Sequence, residues 1–234
     1  MKGRYSILSK IAVLLLFMMA QSTIAQTHYV PHISIGAKGG VTMSTMAFSP
    51  GVEQSMLMGT TFGATFTYAE ERHVGLRFEV NMAQRGWKEN FDEYNDQFNY
   101  SRQLTYVEIP MMTHIFFGPR KVKFFFNLGP EFAFMISDKI SANFDYENPQ
   151  SVQGFPYQNR RLEQMELKIK TKFDYGITAG FGIEYVINRR NSIQLEGRYY
   201  FGLGNIFGAS KKDVFGASRN SSIGITLAYM FRMK

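Results

Sequence analysis

Few residues of this chain could do acid–base or metal chemistry. Its four histidines are His28, His32, His73 and His114, and the sequence contains no cysteine. Histidine–cysteine zinc sites are therefore excluded, and we expect neither a metal site nor a cofactor. A hydrolase could still pair one histidine with a serine or an aspartate, so catalysis through His114 stays open as an alternative.

The second group with chemical potential consists of arginines and carboxylates set inside apolar stretches. Arg77 and Glu79 are two residues apart, as are Glu196 and Arg198. Away from water such groups either relay protons or ions, or neutralise one another as salt bridges. The elements that position them decide between these two interpretations.

Apolar residues alternate with other residues through eight blocks of the chain, which predicts eight β-strands. The apolar positions span residues 33–41, 62–68, 74–82, 105–117, 122–136, 173–187, 193–203 and 223–231. None of these positions is charged, whereas the intervening positions carry Lys38, Lys123 and many other charges. One face of every strand is therefore apolar and the other face polar.

The connections alternate in length. Those at 69–73, 118–121 and 188–191 are short, and those at about 42–60, 84–103, 137–171 and 204–221 are long. This pattern predicts an all-β fold, an eight-stranded antiparallel up-and-down transmembrane β-barrel with short periplasmic turns and long extracellular loops. A soluble barrel with an apolar lumen is the alternative. The bulky Phe, Tyr and Ile side chains would overfill such a lumen, which favours the apolar face pointing to lipid.

This orientation places the charged residues inside the barrel, where they must pair. The predicted interior charge network is Arg77, Glu79, Glu108, Glu131, Asp174, Glu184, Glu196, Arg198 and Arg232. Eight strands leave no aqueous channel, so we favour a structural network over an ion path. Aromatic residues at the strand ends predict an interfacial girdle, which consists of Tyr68, Trp87, Phe117, Phe134, Phe173, Tyr185 and Phe231.

Residues 1–25 have the features of an export signal. Basic residues precede a short apolar run, and small residues at Thr23 and Ala25 predict cleavage before Gln26. Residues 26–234 then form the barrel domain. Cleavage leaves 23 basic and 19 acidic residues, a net charge of +4, which is too small to indicate a nucleic-acid partner. We expect a protein of the outer membrane, with lipid as its surroundings.

Several segments resemble a known family. They include Tyr106-Val-Glu-Ile-Pro110, Asp174-Tyr-Gly-Ile-Thr-Ala-Gly-Phe-Gly-Ile-Glu-Tyr185 and Arg198-Tyr-Tyr-Phe-Gly-Leu-Gly-Asn-Ile206. Together with Gly36-Ala-Lys-Gly-Gly-Val-Thr42 and Gln84-Arg-Gly-Trp-Lys88, they are similar to the PorT-like outer-membrane β-barrel proteins of Bacteroidetes over the whole mature chain. The resemblance implies an eight-stranded barrel, and for some members a role in type IX protein secretion.

The sequence therefore predicts a barrel with a structural or protein-interaction role, with no open pore and no catalysis. An accessory component of a type IX-like secretion system and a lipid-modifying enzyme are the alternatives. Alternation continues through Met165, Leu167 and Ile169, before the sixth strand. We therefore expect either a hairpin of the fifth and sixth strands that projects beyond the membrane, or an ordinary mobile loop. A protein partner would bind through this loop, residues 137–171.

Overall fold

The computed structural model describes residues 30–94, 96–156, 160–208, 210 and 213–233. The predicted signal peptide (residues 1–25) and its cleavage site before Gln26 lie outside the described residues, as does His28. The strands all belong to the compact unit His32–Lys234.

Antiparallel strands make up nearly all of the regular structure. They are β1 (His32–Ser49), β2 (Gln54–Ser55), β3 (Leu57–Ala69), β4 (Val74–Glu89), β5 (Tyr100–Phe117), β6 (Val122–Ala142), β7 (Phe173–Val186), β8 (Asn191–Gly202) and β9 (Ala217–Arg232). A four-residue helix, α1 (Glu163–Glu166), lies before β7, and two 3-10 turns lie at Asp92–Tyr94 and Pro149–Ser151. Among the described residues, no helix is long and apolar enough to cross a membrane.

The eight long strands form a closed ring. Each pairs with the next along the chain, and β1 closes the ring by pairing with β9, for example Gly36 with Met230. The two-residue β2 pairs only with the end of β4. The predicted eight-stranded up-and-down barrel is therefore confirmed.

The apolar face of the ring points outward. Phe181, Leu195 and Leu227 are each more than half exposed, whereas Glu79 and Glu131 are almost fully buried. This arrangement is the reverse of a soluble barrel with an apolar lumen, and it excludes that alternative. The backbone groups pair around the ring, as a membrane-spanning sheet requires.

The long loops are shorter than predicted because the strands continue past the apolar band. The connections span residues 50–56, 90–99, 143–172 and 203–216, and β6 alone has 21 residues. Outward-facing positions beyond the band are polar, as at Ser101, Lys139 and Ser141. Apolar alternation ends there because those strand segments face water rather than lipid.

Candidate functional site

A charged cluster in the middle of the barrel joins opposite walls. The Arg198 guanidinium, on β8, donates to both carboxylate oxygens of Glu79 on β4, at 2.7 and 2.9 Å. It also donates to Glu196 at 2.8 Å, and Lys38 Nζ donates to Glu79 at 2.6 Å. In the ring order, four strand steps separate β4 from β8 in either direction. These ion pairs therefore cross the lumen.

Arg85 forms a second cluster, nearer the long loops. Its Nη2 lies 2.5 Å from Glu108 Oε1 and also contacts Glu131. The guanidinium carbon lies 3.8 Å from the centroid of the Tyr200 ring, a cation–π geometry. One buried guanidinium therefore compensates two buried carboxylates from β5 and β6.

Neutral polar residues extend the network toward the short turns. Arg77 donates to Gln194 at 2.8 Å, and Asn127 Nδ2 donates to Glu196 at 2.7 Å. The Asn127 side-chain oxygen lies 2.7 Å from His114 Nδ1. These hydrogen bonds fill the lumen below the charged cluster.

The predicted ion pairing of the network needs correction at four residues. Arg77 donates to Gln194 and to the Thr67 hydroxyl, at 2.8 and 3.2 Å, rather than to a carboxylate. Asp174 accepts from Asn220 at 2.8 Å, and Glu184 accepts from Ser192 at 2.6 Å, so amide and hydroxyl donors serve these carboxylates. Arg232 is half-buried at the end of β9, and no carboxylate of the described residues lies within ion-pair distance of it. Two cations that pair with the lumen carboxylates were not part of the predicted network. They are Lys38, which the sequence predicts on the polar face, and Arg85, which the sequence predicts in a loop.

A buried aromatic cluster closes the extracellular end of the ring. We call it the cap core; it consists of Met46, Trp87, Phe91, Phe98, Tyr100, Leu104, Tyr106, Ala133, Met135, Phe155, Met165, Ile206, Phe207 and Phe215. Four strands and three long loops contribute to it. The extracellular loops that contribute to the cap core are therefore folded onto the barrel mouth.

The prediction that Trp87 belongs to the lipid-facing girdle is wrong. Trp87 has no exposed surface and packs edge-on against Phe48, with ring centroids 5.4 Å apart. Its position on β4 has the same parity as Arg77 and Glu79, so the strand directs the indole inward. The other girdle residues are exposed on the outer surface, apart from the half-buried Tyr68, and they are Phe117, Phe134, Phe173, Tyr185 and Phe231.

Residues 160–167 attach to the barrel mouth through hydrogen bonds. Tyr100 Oη donates to the Met165 carbonyl at 3.0 Å, and Arg102 Nη1 donates to the Leu167 carbonyl at 2.7 Å. Gln164 Nε2 donates to Glu89 Oε1 at 3.0 Å. These contacts are structural, and they hold the loop over the cap core.

Glu89 is the titratable group at the centre of this attachment. Its carboxylate accepts from Gln164 and from Trp87 Nε1, and Arg160 Nη1 lies 4.0 Å from Oε2. Burial is the largest effect and raises the pKa of Glu89 to about 7, although both hydrogen bonds and Arg160 oppose it. The cap therefore contains a carboxyl group that titrates near neutral pH.

The histidines are dispersed. His114 is buried in the lumen, His73 lies at the β3–β4 turn with Nδ1 3.1 Å from the Phe116 carbonyl oxygen, and His32 begins β1. Within the described part of the chain, no three His, Asp or Glu residues are grouped so that they could hold a metal ion.

One edge of β6 is unpaired above the ring. Pairing with β7 ends at Phe134 and Phe173, while β6 continues to Ala142 along β5. No strand of the described residues covers the other edge of residues 137–142. The expected hairpin of the fifth and sixth predicted strands, which are β6 and β7, is therefore not formed, and β6 projects beside β5 instead. The chain before β7 folds over the cap core instead.

The closed ring, the outward apolar band and the charged lumen define a transmembrane β-barrel. Residues 19–208 match the family model described as outer membrane protein beta-barrel domain. The match covers most of the chain, so the protein belongs to this family of outer-membrane β-barrel proteins. No curated protein is significantly similar to it in sequence.

Solved structures of other outer-membrane proteins are similar to this chain. OprG from Pseudomonas aeruginosa is 11% identical with a TM-score of 0.51, over 86% of this chain and 95% of that chain. Neisserial surface protein A is 13% identical with a TM-score of 0.46, over 87% and 99% of the two chains. The outer membrane enzyme PagL is 9% identical with a TM-score of 0.38, over 84% and 97%. At 11% identity, the similarity to OprG shows the fold alone.

Proposed function

We propose that this protein is a sealed, non-catalytic outer-membrane barrel of PorT-like type that binds another protein at its extracellular end. The unpaired edge of β6 is the observation that carries the proposal. The filled lumen supports the absence of a pore, because ion pairs cross it at Arg198 and the cap core lies above.

The absence of catalysis is also part of the proposal. His114 is buried and its Nδ1 is occupied by Asn127. A general base must reach a substrate proton directly or through one water, and His114 lies inside the filled lumen. A lipid-modifying activity therefore has little support from this residue.

The β6 edge offers backbone groups to a partner. Asn143 N donates to the Asn99 carbonyl at 3.2 Å, so the pair Asn99–Asn143 is of the hydrogen-bonded type. Hydrogen-bonded and non-hydrogen-bonded residue pairs alternate along an antiparallel ladder. The N–H groups of Asp138, Ile140 and Ala142 therefore point away from β5. An extended segment of another protein can add to this edge as a further strand.

Side chains on the outer face of the edge are compatible with such a partner. Ser137, Lys139 and Ser141 are exposed, and a lysine on an edge strand limits unspecific strand pairing. The alternative implied by the PorT-like resemblance, an accessory role in secretion, would use the same edge to hold a component of that machinery.

Photo-crosslinking in intact cells tests the proposal. A crosslinking side chain at Ser141 should capture a partner, whereas one at Ser101 should capture much less. Ser101 pairs with Ser141 in the sheet, but both edges of its own strand are occupied. Ala142→Pro, which removes an outward N–H, should abolish the Ser141 product while heat-modifiable mobility of the barrel is retained.

Equal crosslinking at Ser141 and Ser101, or a product that Ala142→Pro leaves unchanged, would overturn the partner assignment. The sealed lumen has a separate test in planar bilayers, where the purified protein should give no stepwise conductance. If protein secretion stops on deletion and also with Ala142→Pro, the accessory role is favoured.

A further inference from the structure

The short turns of two neighbouring hairpins carry concentrated positive charge. Arg120 and Lys121 lie between β5 and β6, and Arg189 and Arg190 lie between β7 and β8. All four are exposed, and we call them the basic rim. Neither turn contains an acidic residue, and no carboxylate of the described residues lies within ion-pair distance of the four. Their charge is available to an external anion.

Ordered backbone holds the basic rim in place. Val186 N donates to the Lys121 carbonyl at 2.8 Å, which joins the two turns. Asn188 Oδ1 accepts from the backbone N–H groups of Arg190 and Asn191, each at 2.9 Å. The four cations therefore project from a fixed surface, and little backbone ordering is needed when an anion binds.

The basic rim lies at the depth of the lipid headgroups. Phe117, Tyr185 and Ile187 are about half exposed on the outer face and end the apolar band. The cations follow within four residues, a span of at most about 14 Å of extended chain. The headgroup region beside the hydrocarbon core is about 5–8 Å thick. Side chains of arginine and lysine from these turns can therefore reach lipid phosphates.

We propose that the basic rim binds the phosphate groups of anionic phospholipids in the periplasmic leaflet. Arginine guanidinium groups bind phosphate through paired N–H donors, and lysine adds a point charge. The third short turn differs, because Glu70 and Glu71 accompany Arg72 there. Anionic lipid should therefore gather on the β5–β8 side of the barrel rather than around its whole circumference.

Spin-labelled lipids in reconstituted vesicles test this site. Phosphatidylglycerol and phosphatidylcholine carrying the same label are compared for association with the barrel. The rim variant replaces Arg120, Lys121, Arg189 and Arg190 with Gln. The matched control replaces four cations of the extracellular end with Gln, namely Lys88, Arg161, Lys168 and Lys172.

The natural chain and the matched control should both prefer phosphatidylglycerol, and the rim variant should lose the preference. A basic residue near an anionic surface contributes about 1 kcal/mol, or about a fivefold change in association. The preference should also weaken when sodium chloride is raised, because the rim is exposed. Heat-modifiable mobility verifies that each variant forms a barrel.

An unchanged preference in the rim variant, or its loss in the matched control, would refute the site. Inorganic phosphate at constant ionic strength should displace the labelled lipid no better than chloride. Stronger displacement would identify a site for free phosphate and overturn the lipid assignment. The rim would be a protein site instead if the barrel associated equally with both lipids and an acidic periplasmic protein bound the natural chain but not the rim variant.

Discussion

Protonation of Glu89 should control how tightly residues 160–167 dock on the barrel. The Glu89 side chain has no exposed surface and accepts hydrogen bonds from Gln164 and Trp87. Its Oε2 atom has no hydrogen-bond partner. The docked loop therefore encloses a carboxyl group that is neutral at low pH and charged at high pH.

The pKa of Glu89 determines the size and the sign of the pH effect on docking. Burial raises the pKa of Glu89 from 4.5 to about 7 in the docked state. In an undocked loop the group would have its ordinary pKa. The stabilisation of the docked loop by the neutral Glu89 carboxyl is fully present below about pH 4.5, falls as the pH rises, and is lost above about pH 7. At 1.36 kcal/mol per pKa unit, docking should be about 3 kcal/mol weaker at pH 8 than at pH 4.5.

Trp87 supplies the assay, because it is the only tryptophan in the sequence and lies buried beside Glu89. Iodide or acrylamide quenching of its emission measures opening of the cap in the refolded barrel. Quenching should increase between pH 5 and pH 8 in the natural protein. Urea should open the cap at lower concentration at pH 8 than at pH 5.

Glu89→Gln should remove this pH dependence and keep the cap closed at pH 8, because the amide stays neutral. Glu166→Gln is the matched control, since Glu166 is an exposed carboxylate in α1. It should behave like the natural protein. The same pH response in Glu89→Gln, or tighter docking at high pH in the natural protein, would refute the reasoning.

Two further predictions concern the barrel itself. Arg85→Met leaves the buried carboxylates of Glu108 and Glu131 without their cation, and urea unfolding should show a loss of about 3–5 kcal/mol. Replacing both glutamates with Gln in the same variant should recover much of it; no recovery would assign the loss to packing. Gly86→Ala should lower the unfolding temperature, because Gly86 has a φ of +144° and a Cβ would lie 1.9 Å from a β5 carbonyl oxygen. Gly197→Ala is its control and should change little, since the nearest atom is 4.0 Å away.

The membrane-spanning part of the fold was predictable because lipid imposes one condition on every strand. Side chains such as Phe78 and Leu195 alternate with polar ones wherever the outer face meets hydrocarbon. Beyond the band this condition disappears, so residues 84–89 and 137–142 were predicted as loops although they continue β4 and β6. Extending the parity of Arg77 and Glu79 along β4 would have placed Arg85 and Trp87 inside.

Contacts of the cap could not be predicted from local pattern. Gln164 and Glu89 are 75 residues apart, and Tyr100 and Met165 are 65 apart. Neither pair belongs to one strand pairing, so no period in the sequence relates them. The projecting edge was predicted for the wrong pair of strands for the same reason, because folding of residues 143–172 over the mouth takes that chain away from β6.

The interior charges explain how a barrel whose exterior is uniformly apolar adopts a single strand register. Lipid solvates outward side chains such as Leu195 almost equally in many registers, so the exterior selects the register weakly. Arg198 and Arg77 instead reach from one wall to acceptors on the opposite wall, at Glu79 and Gln194. A shift of one residue between neighbouring strands would turn these groups toward lipid. Charged groups are costly there, so the lumen network sets the register that the exterior leaves open.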